Sequence, residues 1–132
     1  MIPVNLKSLP GYSEISDLAP DGHLVHYKQV WSLNFHHELD DTGDLCQELI
    51  IELTKDREAY DVPTIKMIIK SPRNMRLFPS WNIVQLSIDD YKVDGWSNGN
   101  YHIYDAEQDT DWEIYCMDIS FERGRQLPEF KS

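Results

Sequence analysis

Apolar and polar residues alternate through most of this chain. From His23 onward Val25, Tyr27, Trp31, Leu33 and Phe35 fall on one face, with His26, Lys28, Ser32, Asn34 and His36 on the other. Successive side chains of a strand leave opposite faces, so this spacing predicts a strand over 24–36, bent or split near Gln29 and Val30. Ile65, Met67 and Ile69 alternate with Lys66 and Lys70, and Val84, Leu86 and Ile88 with Gln85, Ser87 and Asp89. These predict strands over 64–70 and 83–89. Two more, over 101–105 and 112–121, read as a hairpin joined by an acidic loop from Ala106 to Asp111, and a short one is expected over 74–78. Between Leu45 and Thr54 two readings stay open. Leu45, Leu49, Ile51 and Leu53 suit one face of a strand, whereas Glu48 and Glu52, four apart, suit a helix.

Turn residues punctuate these segments. Asp40-Asp41-Thr42-Gly43-Asp44, Pro79-Ser80, Asp94-Gly95 and Ser97-Asn98-Gly99-Asn100 all favour reversal of the chain. Residues 1–22, with Pro3, Pro10, Gly11, Pro20 and Gly22, are expected to form an irregular arm over the core, with one helical turn between Ser13 and Leu18. Residues 23–122 form the β core and 123–132 a polar tail. Many short strands and at most one or two short helices define a mainly β, antiparallel β-sandwich or partly open barrel. With 132 residues, one such domain buries roughly two-thirds of the surface of its unfolded chain.

Charge sharpens the picture. The net charge is -11, and the stretch Asp89–Asp118 concentrates Asp89, Asp90, Asp94, Asp105, Glu107, Asp109, Asp111, Glu113 and Asp118 against the single base Lys92. Tyr91, Trp96, Tyr101, Tyr104, Trp112 and Tyr115 interleave with them. Carboxylates alone would read as a solvated tract. Mixed with this many rings they read as a folded surface suited to a protein interface. The expected partner-binding residues are Asp89, Asp90, Asp94, Trp96, Asp105, Glu107, Asp109 and Asp111, and the expected partner is a basic protein. Phosphate binding needs clustered cations. Lys66, Lys70, Arg73 and Arg76 instead alternate with apolar residues along the solvated side of two strands, so nucleic acid is not an expected ligand.

Candidate chemistry is sparse. The acidic run from Asp105 imitates the start of a calcium loop, but its sixth position is Thr110 rather than Gly and its twelfth is Cys116 rather than Glu. His36 and His37 are adjacent on a strand and leave opposite faces, so they do not share a metal. The sequence holds no zinc spacing, no Gly-x-Ser-x-Gly elbow and no phosphate-cradling glycine loop. No cofactor, no metal and no catalysis are expected. Cys46 and Cys116, each inside an apolar stretch, are expected to be reduced and mostly buried. Trp31 and Trp112 fall in strands and read as core. Trp81 and Trp96 stand in turns, where a ring either folds back on the core or anchors a contact. Met1–Lys7 carries no basic flank with an apolar core behind it, and no apolar run spans a membrane. The expectation is a cytoplasmic protein.

The stretch Tyr101-His102-Ile103-Tyr104-Asp105-Ala106-Glu107, followed by Ile114-Tyr115-Cys116-Met117-Asp118-Ile119, resembles the C-terminal hairpin of bacterial immunity proteins encoded beside polymorphic toxins in contact-dependent inhibition systems. Val84-Gln85-Leu86-Ser87-Ile88-Asp89-Asp90 and Gly95-Trp96 fit the same pattern, so the resemblance covers the last third of the chain. It implies a cytosolic, non-catalytic protein that binds one cognate toxin domain and blocks it. A basic, nuclease-like toxin suits the acidic surface. The alternative is a carbohydrate- or small-ligand-binding β-sandwich, with Trp81, Trp96 and Tyr101 stacking on a sugar ring.

Overall fold

A computed structural model describes residues 2–24, 27, 29–55, 63–76, 86–91, 100–105 and 113–126. The described residues form nine strands in chain order: β1 (Ile2–Pro3), β2 (Gln29–Leu39), β3 (Leu45–Thr54), β4 (Pro63–Lys70), β5 (Arg73–Arg76), β6 (Leu86–Asp90), β7 (Tyr101–Asp105), β8 (Glu113–Cys116) and β9 (Asp118–Gln126). One helical turn, α1 (Tyr12–Ile15), and a 3-10 turn at Leu6–Ser8 interrupt the arm. The strands form two antiparallel sheets, five-stranded in the order β1-β6-β7-β8-β5 and four-stranded in the order β2-β3-β4-β9. The fold is mainly β and two-layered, and its sheets do not close into a barrel.

One core fills the space between the layers. Leu49, Ile51 and Leu53 of β3, Ile65, Met67 and Ile69 of β4, and Ile119 and Phe121 of β9 meet Ile88, Ile103, Ile114 and Cys116 of the other sheet. Each alternates with a residue on the outer face, as period two requires. Burial of such a side chain contributes about 1.5–3 kcal/mol. Residues 45–54 are therefore a strand. Its ladder to β4 places Leu49 opposite Ile69 and Ile51 opposite Met67, which a helix would not allow.

The layers are joined at a corner. Lys70 pairs with Asp118 in one sheet and Arg73 pairs with Tyr115 in the other, so β4–β5 and β8–β9 run as two long antiparallel segments that change sheet together. Ser71 takes a left-handed φ of 52° at the bend, and Pro72 follows it. On the other segment Met117 N donates to Lys70 O at 3.0 Å, while Cys116 O accepts from Asn100 N at 2.8 Å. The strand expected over 112–121 is thus two, divided at Met117. The buried positions change parity there, from Ile114 and Cys116 to Ile119 and Phe121, so the bend coincides with a break in the alternation.

The arm is more integral than its Pro and Gly content suggests. β1 pairs with β6, and Leu6, Leu9, Ile15 and Ala19 are buried in the common core. Phe121 N donates to Pro10 O at 3.0 Å, binding the arm to the outer edge of β9. Gly11 makes that approach possible. Its φ is +82°, and a Cβ there would fall on the Phe121 carbonyl oxygen. Nor does the polar tail begin at 123, because β9 stays paired as far as Gln126, opposite Pro63.

Three further expectations are corrected. The strand expected over 24–36 starts at Gln29 and runs on to Leu39, with an irregularity in its pairing between Val30 and Ser32. Trp31, at that bulge, and Phe35 are exposed rather than core. Cys46 is exposed rather than buried. Phe35 and Cys46 share a setting: every residue of the β2–β3 hairpin from Asn34 to Cys46 is exposed.

Candidate functional site

The hairpin of β7 and β8 places its alternate residues on two unlike faces. Tyr101, Ile103, Ile114 and Cys116 turn into the core. His102 and Tyr104 of β7, with Glu113 and Tyr115 of β8, therefore share the outer face of the five-stranded sheet. β6 adds Asp89, directly opposite His102, and Tyr91 follows at its end. β5 borders the group on the far side, with Arg73 opposite Tyr115 and Arg76 opposite Glu113.

These side chains form one stacked array. The imidazole of His102 lies against Tyr115 at a centroid distance of 4.3 Å and 8° between planes. Its other neighbour, Tyr104, stands at 4.7 Å and 20°. Tyr91 approaches the same imidazole at 6.0 Å, tilted by 55°. His102 Nε2 contacts Glu113 Oε2 at 3.1 Å, and Arg76 Nε lies 3.7 Å from the other oxygen of that carboxylate. Ring stacking and the carboxylate together fix the imidazole in place.

Burial governs the electrostatics. It pushes the Tyr104 hydroxyl up to about 12, and the hydrogen bond and charge of Asp89 act in the same direction. Tyr115 is raised as well, first by burial and then by the charge of Glu113. Both phenols stay protonated at neutral pH, as tyrosines ordinarily do, and Tyr104 shares a hydrogen bond with Asp89. Cys116 lies behind them in the core, where burial pushes its thiol up to about 12, so it is not an activated thiolate. The array offers aromatic faces, hydroxyl donors and carboxylates, which is binding chemistry.

Of the expected partner-binding residues, Asp89, Asp90 and Asp105 fall among the described residues, and Asp94, Trp96, Glu107, Asp109 and Asp111 lie outside them. The structure does not bring the first three onto one surface. Asp89 belongs to the outer array but is only 3% exposed. Asp105, 7% exposed, shares the inner parity of Tyr101 and Ile103 and pairs with Leu86. Asp90 pairs with Tyr101 on that same inner side and is partly exposed. Tyr101 itself is buried, so it offers no platform to a sugar ring. Trp81, Trp96 and Trp112 lie outside the described residues.

Sequence reasoning missed His102, Tyr104, Glu113 and Tyr115 as a unit. The signal was available in the hairpin register: alternate residues of two paired strands meet on one face. It also missed a buried carboxylate on the four-stranded sheet, Glu52, which accepts hydrogen bonds from Ser32 Oγ at 3.2 Å and Thr64 Oγ1 at 2.7 Å. The exposed hairpin carries a shallow groove of about 300 Å³ lined by His36, Glu38, Cys46, Glu48 and Lys70. Among the described residues no group of three or more His, Cys, Asp or Glu is placed to hold a metal ion. Among them, too, no helix is long and apolar enough to cross a membrane. No family model, no curated protein and no solved structure matches the chain.

Proposed function

We propose that this protein is a non-catalytic, immunity-type binding protein that occupies the surface of a basic toxin domain with the outer face of its five-stranded sheet. The observation that carries the reading is the array of Tyr91, His102, Tyr104 and Tyr115 with Asp89 and Glu113 on that face. Tyrosines held by stacking lose little conformational freedom on binding, and protein interfaces draw much of their energy from such residues. A net charge of -11 draws in a basic partner and disfavours acidic ones. Asp94, Glu107, Asp109 and Asp111 flank β7 and β8 in sequence and add to the same field. A nuclease is the suitable toxin class, because a site that receives phosphates is itself basic. The setting that goes with this role is the bacterial cytoplasm.

The test is co-purification of the chain with the product of the neighbouring gene, followed by affinity measurements on variants. Tyr115→Ala is expected to weaken binding by about tenfold or more, as truncation of an interface anchor does. Reversal of Glu107, Asp109 and Asp111 to Lys is expected to slow association at low salt while the fold persists. A folded Tyr115→Ala protein that binds with unchanged affinity would exclude this face. Binding of an oligosaccharide instead of a protein would favour the ligand-binding alternative.

A further inference from the structure

We propose that β2 is the seat of a symmetric dimer, in which its outer edge pairs antiparallel with β2 of a second copy about an axis through His37. The argument starts from the backbone. Asp40 N donates to Asp44 O at 2.9 Å, one step beyond the last ladder pair, Leu39 and Leu45, which sets the parity of the hydrogen-bonded pairs. Hydrogen-bonded and open pairs alternate in an antiparallel ladder. Even-numbered residues of β2 thus turn their backbone groups to β3, and Leu33, Phe35, His37 and Leu39 turn theirs away. Gln47, opposite His37, gives the same parity, since its carbonyl accepts from Ser71 on the other side. β2 is terminal in its sheet, so among the described residues no strand pairs with those groups.

Along residues 32–39 that edge carries neither of two common guards, Lys and Pro. Strand edges are usually blunted by Lys, Pro or a bulge. β2 has its pairing irregularity between Val30 and Ser32, but from Ser32 to Leu39 it is regular and contains neither Lys nor Pro. Apolar side chains stand along it instead. Phe35 is 41% exposed, Leu39 71%, and Leu45, opposite Leu39, 59%. All three share the parity of Leu49, whose face is the core face of the sheet.

The register follows from complementarity. An axis at His37 sets Phe35 opposite Leu39 of the second copy on the core-side face, twice over, with Leu45 next to each pair. On the other face it sets His36 opposite Glu38, also twice. The two residues already meet within one strand, with His36 Nε2 3.2 Å from Glu38 Oε1. An axis at Glu38 would oppose Glu38 to itself and Phe35 to Asp41. An axis at His36 would set Glu38 against Asn34. Only the His37 axis places Glu38 opposite a histidine, and it makes the outward backbone groups of Phe35, His37 and Leu39 the hydrogen-bonded pairs. The two four-stranded sheets then become one continuous sheet, and their exposed apolar residues form a shared cluster. The outer face of each five-stranded sheet stays open, so the dimer is independent of the function proposed above.

Long-range charge opposes this association, because each copy carries -11. Added salt screens that repulsion, with a Debye length of about 8 Å at physiological ionic strength. Sedimentation velocity over a concentration series is therefore expected to reveal a monomer–dimer equilibrium that tightens with added sodium chloride. Leu39→Lys is expected to weaken the dimer by about tenfold or more, since it places a charge in the apolar contact. His37→Pro is expected to abolish it while retaining the fold, because that N–H faces outward and an edge strand tolerates proline there. In a Cys46→Ser background, His37→Cys is expected to cross-link two copies on mild oxidation, and Gln29→Cys is not. A monomer at every concentration and salt level would overturn the proposal, as would equal cross-linking at positions 29 and 37. Protection of this edge only by an added basic protein would overturn it in favour of a foreign strand.

Discussion

The two edges of the four-stranded sheet are finished in different ways. Along β9 the arm lies close enough for Phe121 N to donate to Pro10 O, α1 packs beside the strand, and one guanidinium nitrogen of Arg123 reaches both carboxylate oxygens of Asp17, at 2.8 and 2.9 Å. Ile15, at the end of α1, is fully buried. Along β2 the backbone groups of Leu33, Phe35, His37 and Leu39 turn away from β3, and Phe35 and Leu39 are exposed beside them. Both strands have unsatisfied donors in an isolated sheet. A piece of the same chain covers one of them, and among the described residues no segment pairs with the other. Two strands of similar alternating sequence thus differ in exposure because of what lies across from them.

The largest expected effect comes from the covered edge. Ile15→Ala removes a wholly buried side chain that holds the arm to the sheet, and should cost about 2–5 kcal/mol. Phe35→Ala on the open edge should cost less than about 1 kcal/mol. Urea denaturation of both variants checks the contrast, and equal losses would mean that the β2 edge is as well packed as the other.

A contrast in thiol reactivity comes next. Cys46 lies in the exposed hairpin, opposite Glu38, while Cys116 is buried with its thiol pushed up to about 12. A bulky thiol reagent should label one cysteine rapidly in the native protein and the second only on unfolding. Rapid labelling of both would place Cys116 outside the core.

The smallest effect belongs to the ion pair on the covered edge. The hydrogen bond from Arg123 holds the Asp17 carboxyl below its ordinary value. A carboxyl depressed in the folded state contributes stability above its unfolded pKa and loses it as pH falls through the folded value. The wild-type denaturation midpoint should therefore fall slightly more than that of Asp17→Asn as pH drops below about 4. Both side chains are exposed, so the difference is small. Identical pH profiles would remove the ion pair from the account of this edge.

Much of the fold was legible in the pattern of residues. Ile65, Met67 and Ile69 belong to one strand face in sequence and in structure, and so do Tyr101 and Ile103. The ambiguity at 45–54 came from glutamates four apart, a spacing that suits a helix. In the strand, Glu52 is buried among hydroxyls of Ser32 and Thr64, partners that lie on other strands and cannot be read locally. The candidate site was half legible. The acidic and aromatic segment was recognised, but counting carboxylates ignores parity, and parity sent Asp89 outward and Asp105 inward. His102, unremarkable as a lone histidine, became central only when β8 delivered Tyr115 and Glu113 to it.

Alternation and turn residues by themselves determined that this protein is an antiparallel β structure with one core, since period two leaves half of each strand apolar and demands something to cover it. They also determined its charge and the supply of aromatic residues near its C-terminal hairpin. Which apolar residues are covered was decided only by the tertiary structure. Phe35 and Leu49 face each other across one ladder with the same parity, yet Leu49 is sealed and Phe35 is not. Leu49 belongs to the common core, whereas Phe35 lies in the part of the hairpin that is exposed on both faces. Local sequence fixes the direction in which a side chain points, and only the packing of the whole chain decides what it meets.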